Sequence, residues 1–185
     1  MIIHKHKCVF IHIPKVAGVS FYKLFNKPSY FGDHKTLKQK KGWHDNYFKF
    51  TFTRNPWDRF LSCYCYFKAF GRRQGPDIHS GRIINKFKNF KDFVISFDTV
   101  KKKLRAPHFK PQVHWLDERL DFIGKLENLE DDFHSVCDKI GIPRRNLPHA
   151  NKSKHTHYTE YYDDETREII AQKYWQDIEY CGYRF

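Results

Sequence analysis

A lysine, a glycine and a serine follow one another closely in the stretch Phe10-Ile-His-Ile-Pro-Lys-Val-Ala-Gly-Val-Ser-Phe-Tyr22. Just before them, residues 8–13 mix β-branched and aromatic side chains in a short apolar run, the pattern of a buried strand. Just after them, Phe21, Leu24 and Phe25 recur at helical spacing. A strand must therefore turn sharply into a helix between these segments. Such a turn aims free backbone N–H groups and the positive end of the helix dipole at one point, which suits a phosphate or a sulfate. Lys15 adds a mobile charge and Ser20 a hydroxyl. The chemistry implied is capture of the 5′ end of an anionic nucleotide.

A second strand-turn-helix unit follows. Residues 47–53, Tyr-Phe-Lys-Phe-Thr-Phe-Thr, alternate apolar and polar with period two and read as a strand. The run stops at Arg54-Asn55-Pro56, where Asn55 is a natural N-cap and Pro56 suits a first helical position. The helix is expected to reach about Phe70, with Phe60, Cys63, Tyr64 and Phe67 on one face. In a parallel sheet, ligands gather beyond the carboxyl ends of the strands. Lys15 and Arg54 each sit at such an end and are expected on one rim.

The elements around these turns are less sharply marked. Residues 26–33 and 71–82 read as loops, and residues 35–41 as a basic, helical stretch. Residues 90–97 look helical, residues 99–111 form an irregular basic connection, and residues 112–116 are too brief to assign to helix or edge strand. Residues 120–126 read as a strand, and residues 128–140 as a helix ended by Gly141 and Pro143. After a polar loop over residues 144–159, one last helix is capped by Asp163 or Asp164 and carries Glu165 in its first turn. It buries Ile170, Tyr174, Ile178 and Cys181 and stops at Gly182. Strands alternating with helices argue for an α/β fold with a central, mostly parallel sheet flanked by helices. No repeat or linker divides the chain, so residues 1–185 are read as a single domain.

Composition narrows the partners. Lys and Arg number 34 against 21 Asp and Glu, a formal charge of +13 that attracts anions. Nucleic acid, a nucleotide, an acidic glycan and an anionic membrane all satisfy that charge. The five cysteines (Cys8, Cys63, Cys65, Cys137, Cys181) are odd in number and show no C-x-x-C, which fits a reducing, cytoplasmic setting better than a disulfide framework. No stretch reaches the length of a membrane span, and Met1 stands only a few residues before the first strand, so neither a signal peptide nor an anchor is expected.

Residues 13–20, Ile-Pro-Lys-Val-Ala-Gly-Val-Ser, resemble the 5′-phosphosulfate loop of sulfotransferases, usually written P-K-T-x-G-T-S. Residues 52–64, Phe-Thr-Arg-Asn-Pro-Trp-Asp-Arg-Phe-Leu-Ser-Cys-Tyr, resemble their 3′-phosphate motif, R-x-P-x-D-R-x-x-S. Residues 122–129, 151–154 and 177–183 resemble the carbohydrate-type branch of that family. The resemblance implies a P-loop-like, three-layer fold and, as donor, 3′-phosphoadenosine 5′-phosphosulfate (PAPS), with 3′,5′-adenosine bisphosphate as product and no metal. It also implies roles. Lys15 would stabilise charge on the leaving group, and the amides of Val16, Ala17, Gly18, Val19 and Ser20 would cradle the 5′-phosphate. Arg54 would grip the 3′-phosphate with Ser62 beside it, and Lys152 and Ser153 match a later cofactor loop. Val16 and Val19 depart from the family's threonines, at about 1 kcal/mol for each hydrogen bond lost.

An acceptor hydroxyl also needs a base, which in this family tends to come from the next element after the first strand-helix unit. His34, in Phe31-Gly-Asp-His34, stands there, with Asp33 to orient it. An imidazole is matched to that task. His12 and His44 are the runners-up. The acceptor implied is a glycan hydroxyl, acidic if the basic runs at residues 72–73 and 101–105 line its cleft; a tyrosine, a phenol or a small alcohol are the alternatives. The pairs His4/His6 and His155/His157 lack a third ligand, so no metal site is expected. Two rival functions stand beside this one. A P-loop kinase needs its lysine after the second glycine, whereas Lys15 precedes the loop's glycine. A basic nucleic-acid-binding module would leave both anion motifs unexplained.

Overall fold

Phe48, Phe50 and Phe52 alternate with Lys49, Thr51 and Thr53, and this period of two forms strand β3 (Phe48–Thr53) at the middle of the sheet. The computed structural model of the protein describes residues 1–27, 34–39, 45–70, 77–104, 107–148 and 156–185. The chain divides into two units, Met1–Arg54 with Gln112–Lys152, and Asn55–Pro111 with Ser153–Phe185.

The first unit holds a four-stranded sheet in the order β1-β2-β3-β4. Strands β2 (Cys8–Ile11), β3 and β4 (Phe122–Lys125) run parallel, and the short β1 (Ile2–Ile3) pairs antiparallel with β2. The fold is thus α/β with a mostly parallel sheet, as the alternation of elements requires. In register, Phe10 stands opposite Phe50, and Phe52 opposite Gly124. These rings face helices α1 (Gly18–Leu24) and α6 (Leu129–Ile140). Phe21 of α1 lies 4.4 Å from Phe10, 5.1 Å from Phe52 and 5.5 Å from Phe133 of α6, ring centre to ring centre. Each buried ring contributes about 1.5–3 kcal/mol. On the alternate register positions the hydroxyl of Thr51 donates to the Ile11 carbonyl at 2.8 Å, so a buried polar group is satisfied by the neighbouring strand.

The second unit is helical among the described residues. Helix α2 (Pro56–Phe70) starts as its sequence dictates, with the Asn55 side chain accepting from the Trp57 amide at 3.1 Å. Helices α3 (Ile78–Ile84), α4 (Phe90–Ile95) and α5 (Phe97–Val100) follow, then α7 (Asp164–Lys173) and α8 (Trp175–Cys181). Phe60 of α2 stands at the centre of an aromatic cluster with Phe90, Phe93, Phe97, Phe109 and Tyr174. Arg59, 1% exposed, donates to the carbonyls of His108 and Lys110 and fixes the segment after α5.

The structure corrects several local expectations. Part of the loop expected over residues 71–82 is helix α3: Asp77 accepts from the Tyr66 hydroxyl and Asn85 donates to the Lys68 carbonyl, so packing on α2 overrides a Gly-containing sequence. The basic helix expected over residues 35–41 is a single 3-10 turn, Leu37–Gln39, in the described part. The single last helix is two, broken at Tyr174, and Ile178 and Cys181 are half-buried while Asp177 is fully buried. The first strand stops at Ile11, short of Ile13. Residues 28–33 of the loop expected over residues 26–33 lie outside the described residues.

Two substitutions test this account. A Cβ built on Gly18 would lie 1.8 Å from Nε2 of His12, so Gly18→Ala should cost about 1–3 kcal/mol of stability, read as a lowered melting temperature. The double variant with His12→Ala should recover part of that loss. Asp163 caps α7 through a reciprocal bond with Thr166. The Lys91 ammonium, then the Thr166 hydroxyl and amide, hold its carboxyl well below the usual carboxylate range. Stability from this cap is therefore complete above that range and is lost as the pH falls through and below it. Asp163→Ala should lower stability near neutrality by about 1 kcal/mol, and the gap to the parent protein should shrink on acidification.

Candidate functional site

The turn after β2 is built from unusual backbone. Lys15 (φ 68°) and Ala17 (φ 50°) both take the left-handed conformation, at about 1–2 kcal/mol each for a residue with a Cβ. Such strain persists where the surroundings over-determine it, and it clusters at ligand clamps. The strain lets the chain leave β2, reverse, and enter α1 at Gly18, whose Cα lies against the His12 ring. The Ser20 and Phe21 amides already donate to the Ala17 carbonyl, at 2.9 and 3.3 Å. The amides of Val16, Ala17, Gly18 and Val19 precede any helical carbonyl they could reach, which suits them to an anion. Val16 is 1% exposed, so its methyl groups belong to the apolar core; Val19 is half-buried.

Arg54 ends β3 and is held at both backbone and side chain. Its N–H donates to Oε1 of Gln112 at 2.9 Å, and Nε2 of Gln112 donates to its carbonyl at 2.8 Å. Its guanidinium Nη1 donates to the Lys15 carbonyl at 3.3 Å. The Arg54 side chain therefore reaches the backbone of the turn that carries Lys15, and the two residues follow adjacent parallel strands at their carboxyl ends.

His34 joins the same unit. Its Nδ1 lies 3.2 Å from the His12 carbonyl oxygen. A carbonyl can only accept, so Nδ1 carries the hydrogen and the neutral ring keeps its basic lone pair on Nε2. The rings of His12 and His34 lie 4.5 Å apart, centre to centre. His12 is 8% exposed and packed between Gly18 and Tyr22, whereas His34 is half-buried. Of these two, His34 is the one placed to meet a solute. Its carbonyl accepts from the indole N–H of Trp115 at 2.7 Å.

Ser62 lies on α2 in the second unit, 3% exposed. Asp33, His44, Lys152, Ser153 and His155 lie outside the described residues. Gln112 and Trp115 carry no motif, and the sequence drew no attention to them; a fully buried glutamine is recognisable only once its burial is known. His4 faces the Tyr47 hydroxyl and His157 that of Thr159, and no group of metal-ligating side chains occurs among the described residues. Burial pushes the Cys8 thiol up to about 12, which leaves it protonated and inert. No helix among the described residues is long and apolar enough to cross a membrane.

The Sulfotransferase family model matches residues 1–184. An uncharacterized protein of Archaeoglobus fulgidus is 34% identical over 99 residues, covering 54% of this chain and 72% of its own length. No solved structure matches. With the match running through the strained lysine turn, the arginine at the end of β3 and the closing helices alike, the chain belongs to the sulfotransferase family.

Proposed function

We propose that this chain moves a sulfuryl group from PAPS to an acceptor hydroxyl, with Lys15 at the leaving group, Arg54 at the 3′-phosphate and His34 as the base. The observation that carries this reading is the 3.3 Å contact between the Arg54 guanidinium and the Lys15 carbonyl. It favours one ligand meeting both residues, as a nucleotide bearing phosphates at two positions would. PAPS supplies an activated sulfuryl group on a phosphate leaving group. The Lys15 ammonium offsets charge on that departing phosphate, and the amides from Val16 to Val19 hold it. Arg54 offers a planar fork that fits a phosphate bidentately. With Nδ1 hydrogen-bonded to the His12 carbonyl, Nε2 is the ring nitrogen that would take the acceptor's proton. Ser62, Lys152 and Ser153 enter on sequence resemblance, and so does a carbohydrate acceptor, through residues 122–129, 151–154 and 177–183. Five cysteines, odd in number and without a C-x-x-C, fit a reducing compartment such as the cytoplasm.

Ligand-dependent melting separates this reading from its rivals. At a hundred times its dissociation constant, 3′,5′-adenosine bisphosphate should stabilise the protein by about 2.7 kcal/mol, while ATP with Mg²⁺ and duplex DNA shift the midpoint little. A larger shift with ATP would point to a kinase instead. With labelled PAPS and an acceptor found by screening for mass gain, Lys15→Ala should lower turnover by about a hundredfold or more. His34→Ala should cost a similar factor at saturating PAPS, and undiminished turnover would remove His34 from the chemistry.

A further inference from the structure

The 3-10 turn Gln112–His114 and the residue after it lie at none of the expected motifs, yet they touch two proposed site residues. Gln112 and Trp115 are both 0% exposed. The turn is closed by the Trp115 amide donating to the Gln112 carbonyl at 2.9 Å, which sets the two side chains at a fixed spacing. From one end, the Gln112 amide pairs with both the N–H and the carbonyl of Arg54. That is the pairing a neighbouring strand would supply, here delivered by a side chain where the strand has ended. From the other end, the Trp115 indole donates to the His34 carbonyl.

We infer that residues 112–115 are the positioning element of the site, with Gln112 setting the backbone from which Arg54 reaches a 3′-phosphate and Trp115 setting the backbone from which His34 presents its ring. The inference rests on the roles proposed above for Arg54 and His34, and it adds residues that touch neither substrate. The geometry supports a division of labour. A guanidinium grips a phosphate well only if its stem starts from a fixed point, because a displacement of an ångström breaks a two-bond fork. Gln112 holds the N–H and the carbonyl of Arg54 at once, which restrains the peptide units on both sides of its Cα. His34 follows a segment outside the described residues, and its hydrogen bond to the His12 carbonyl selects the tautomer only while the ring stays in reach. The indole bond to the His34 carbonyl keeps the residue at that distance.

Two readouts test the two ends separately, and neither needs the acceptor. The first is the preference for 3′,5′-adenosine bisphosphate over adenosine 5′-monophosphate, measured by calorimetry. Gln112→Met should reduce that preference about tenfold or more, leaving the affinity for the monophosphate close to the parent value. Gln112→Glu, which keeps the acceptor for the Arg54 amide but not the donor to its carbonyl, should fall between, and it serves if the methionine variant does not fold. A parent preference that survives both substitutions overturns the role of Gln112. If the parent protein itself shows no preference, the 3′-phosphate role of Arg54 fails instead, and the role of Gln112 toward it falls with it.

The second readout is the ring ¹⁵N spectrum of His34, assigned by comparison with His34→Ala. In the parent protein the neutral ring should show a protonated Nδ1. In Trp115→Phe, which keeps an aromatic ring but loses the N–H, it should show a mixture of tautomers, with the preference for the bisphosphate unchanged. A His34 spectrum identical in parent and variant overturns the role of Trp115, whatever His34 does in catalysis. Trp115→Leu, which likewise lacks a ring N–H, gives the same comparison if the phenylalanine variant does not fold.

Discussion

Arg54 is gripped from two directions, and the first unit's site is organised by that constraint. Gln112 satisfies its peptide N–H and carbonyl, and the carbonyl of Lys15 receives its guanidinium. A backbone donor or acceptor held away from water stabilises the fold only when it is met, and the buried Gln112 amide meets both of these where β3 ends. The other contact ties the end of β3 to the turn after β2. Neither turn is therefore positioned alone.

The strained turn draws on the same support. Lys15 and Ala17 hold left-handed backbone angles that a residue with a Cβ adopts at a cost. Burial of Val16 on one side, the close approach of Gly18 to the His12 ring and the hydrogen bonds to the Ala17 carbonyl offset it. The valine at residue 16 then has a physical explanation. Its side chain lies in the core, where a branched apolar group is at home and a hydroxyl would need a partner. The backbone amides do not depend on side-chain identity, so the valine leaves their disposition at the turn unaltered.

His12 and His34 show how position separates two chemically identical groups. Both are close to the turn, and their rings lie 4.5 Å apart. One ring is packed against Gly18 and Tyr22; the other is half-buried, with its tautomer selected by a backbone carbonyl. The surrounding charge of +13 makes the whole surface attractive to anionic ligands, but it does not distinguish one histidine from the other.

Much of the fold was legible in the residues themselves. The period-two run of β3, the Asn55 cap with Pro56 and the stop at Gly141 are all local effects, decided by neighbours within a few positions, and each stands where the sequence placed it; of the two aspartates open as the cap of α7, the structure uses Asp163. The candidate lysine and arginine were legible for the same reason, since a strand-to-helix turn writes its needs into adjacent residues. Helix α3 was not, because its stability comes from bonds to α2 such as Tyr66 to Asp77. The break at Tyr174 was not, because it lies inside one continuous apolar pattern. Gln112 and Trp115 were the least visible of all: their partners stand 58 and 81 positions away along the chain. The sequence by itself marked the two strand-to-helix turns that carry Lys15 and Arg54 and the strand that lies between them. Only the tertiary structure decided which buried side chains hold those turns in register, because a hydrogen bond between distant segments depends on where folding brings them and leaves no periodic trace in either.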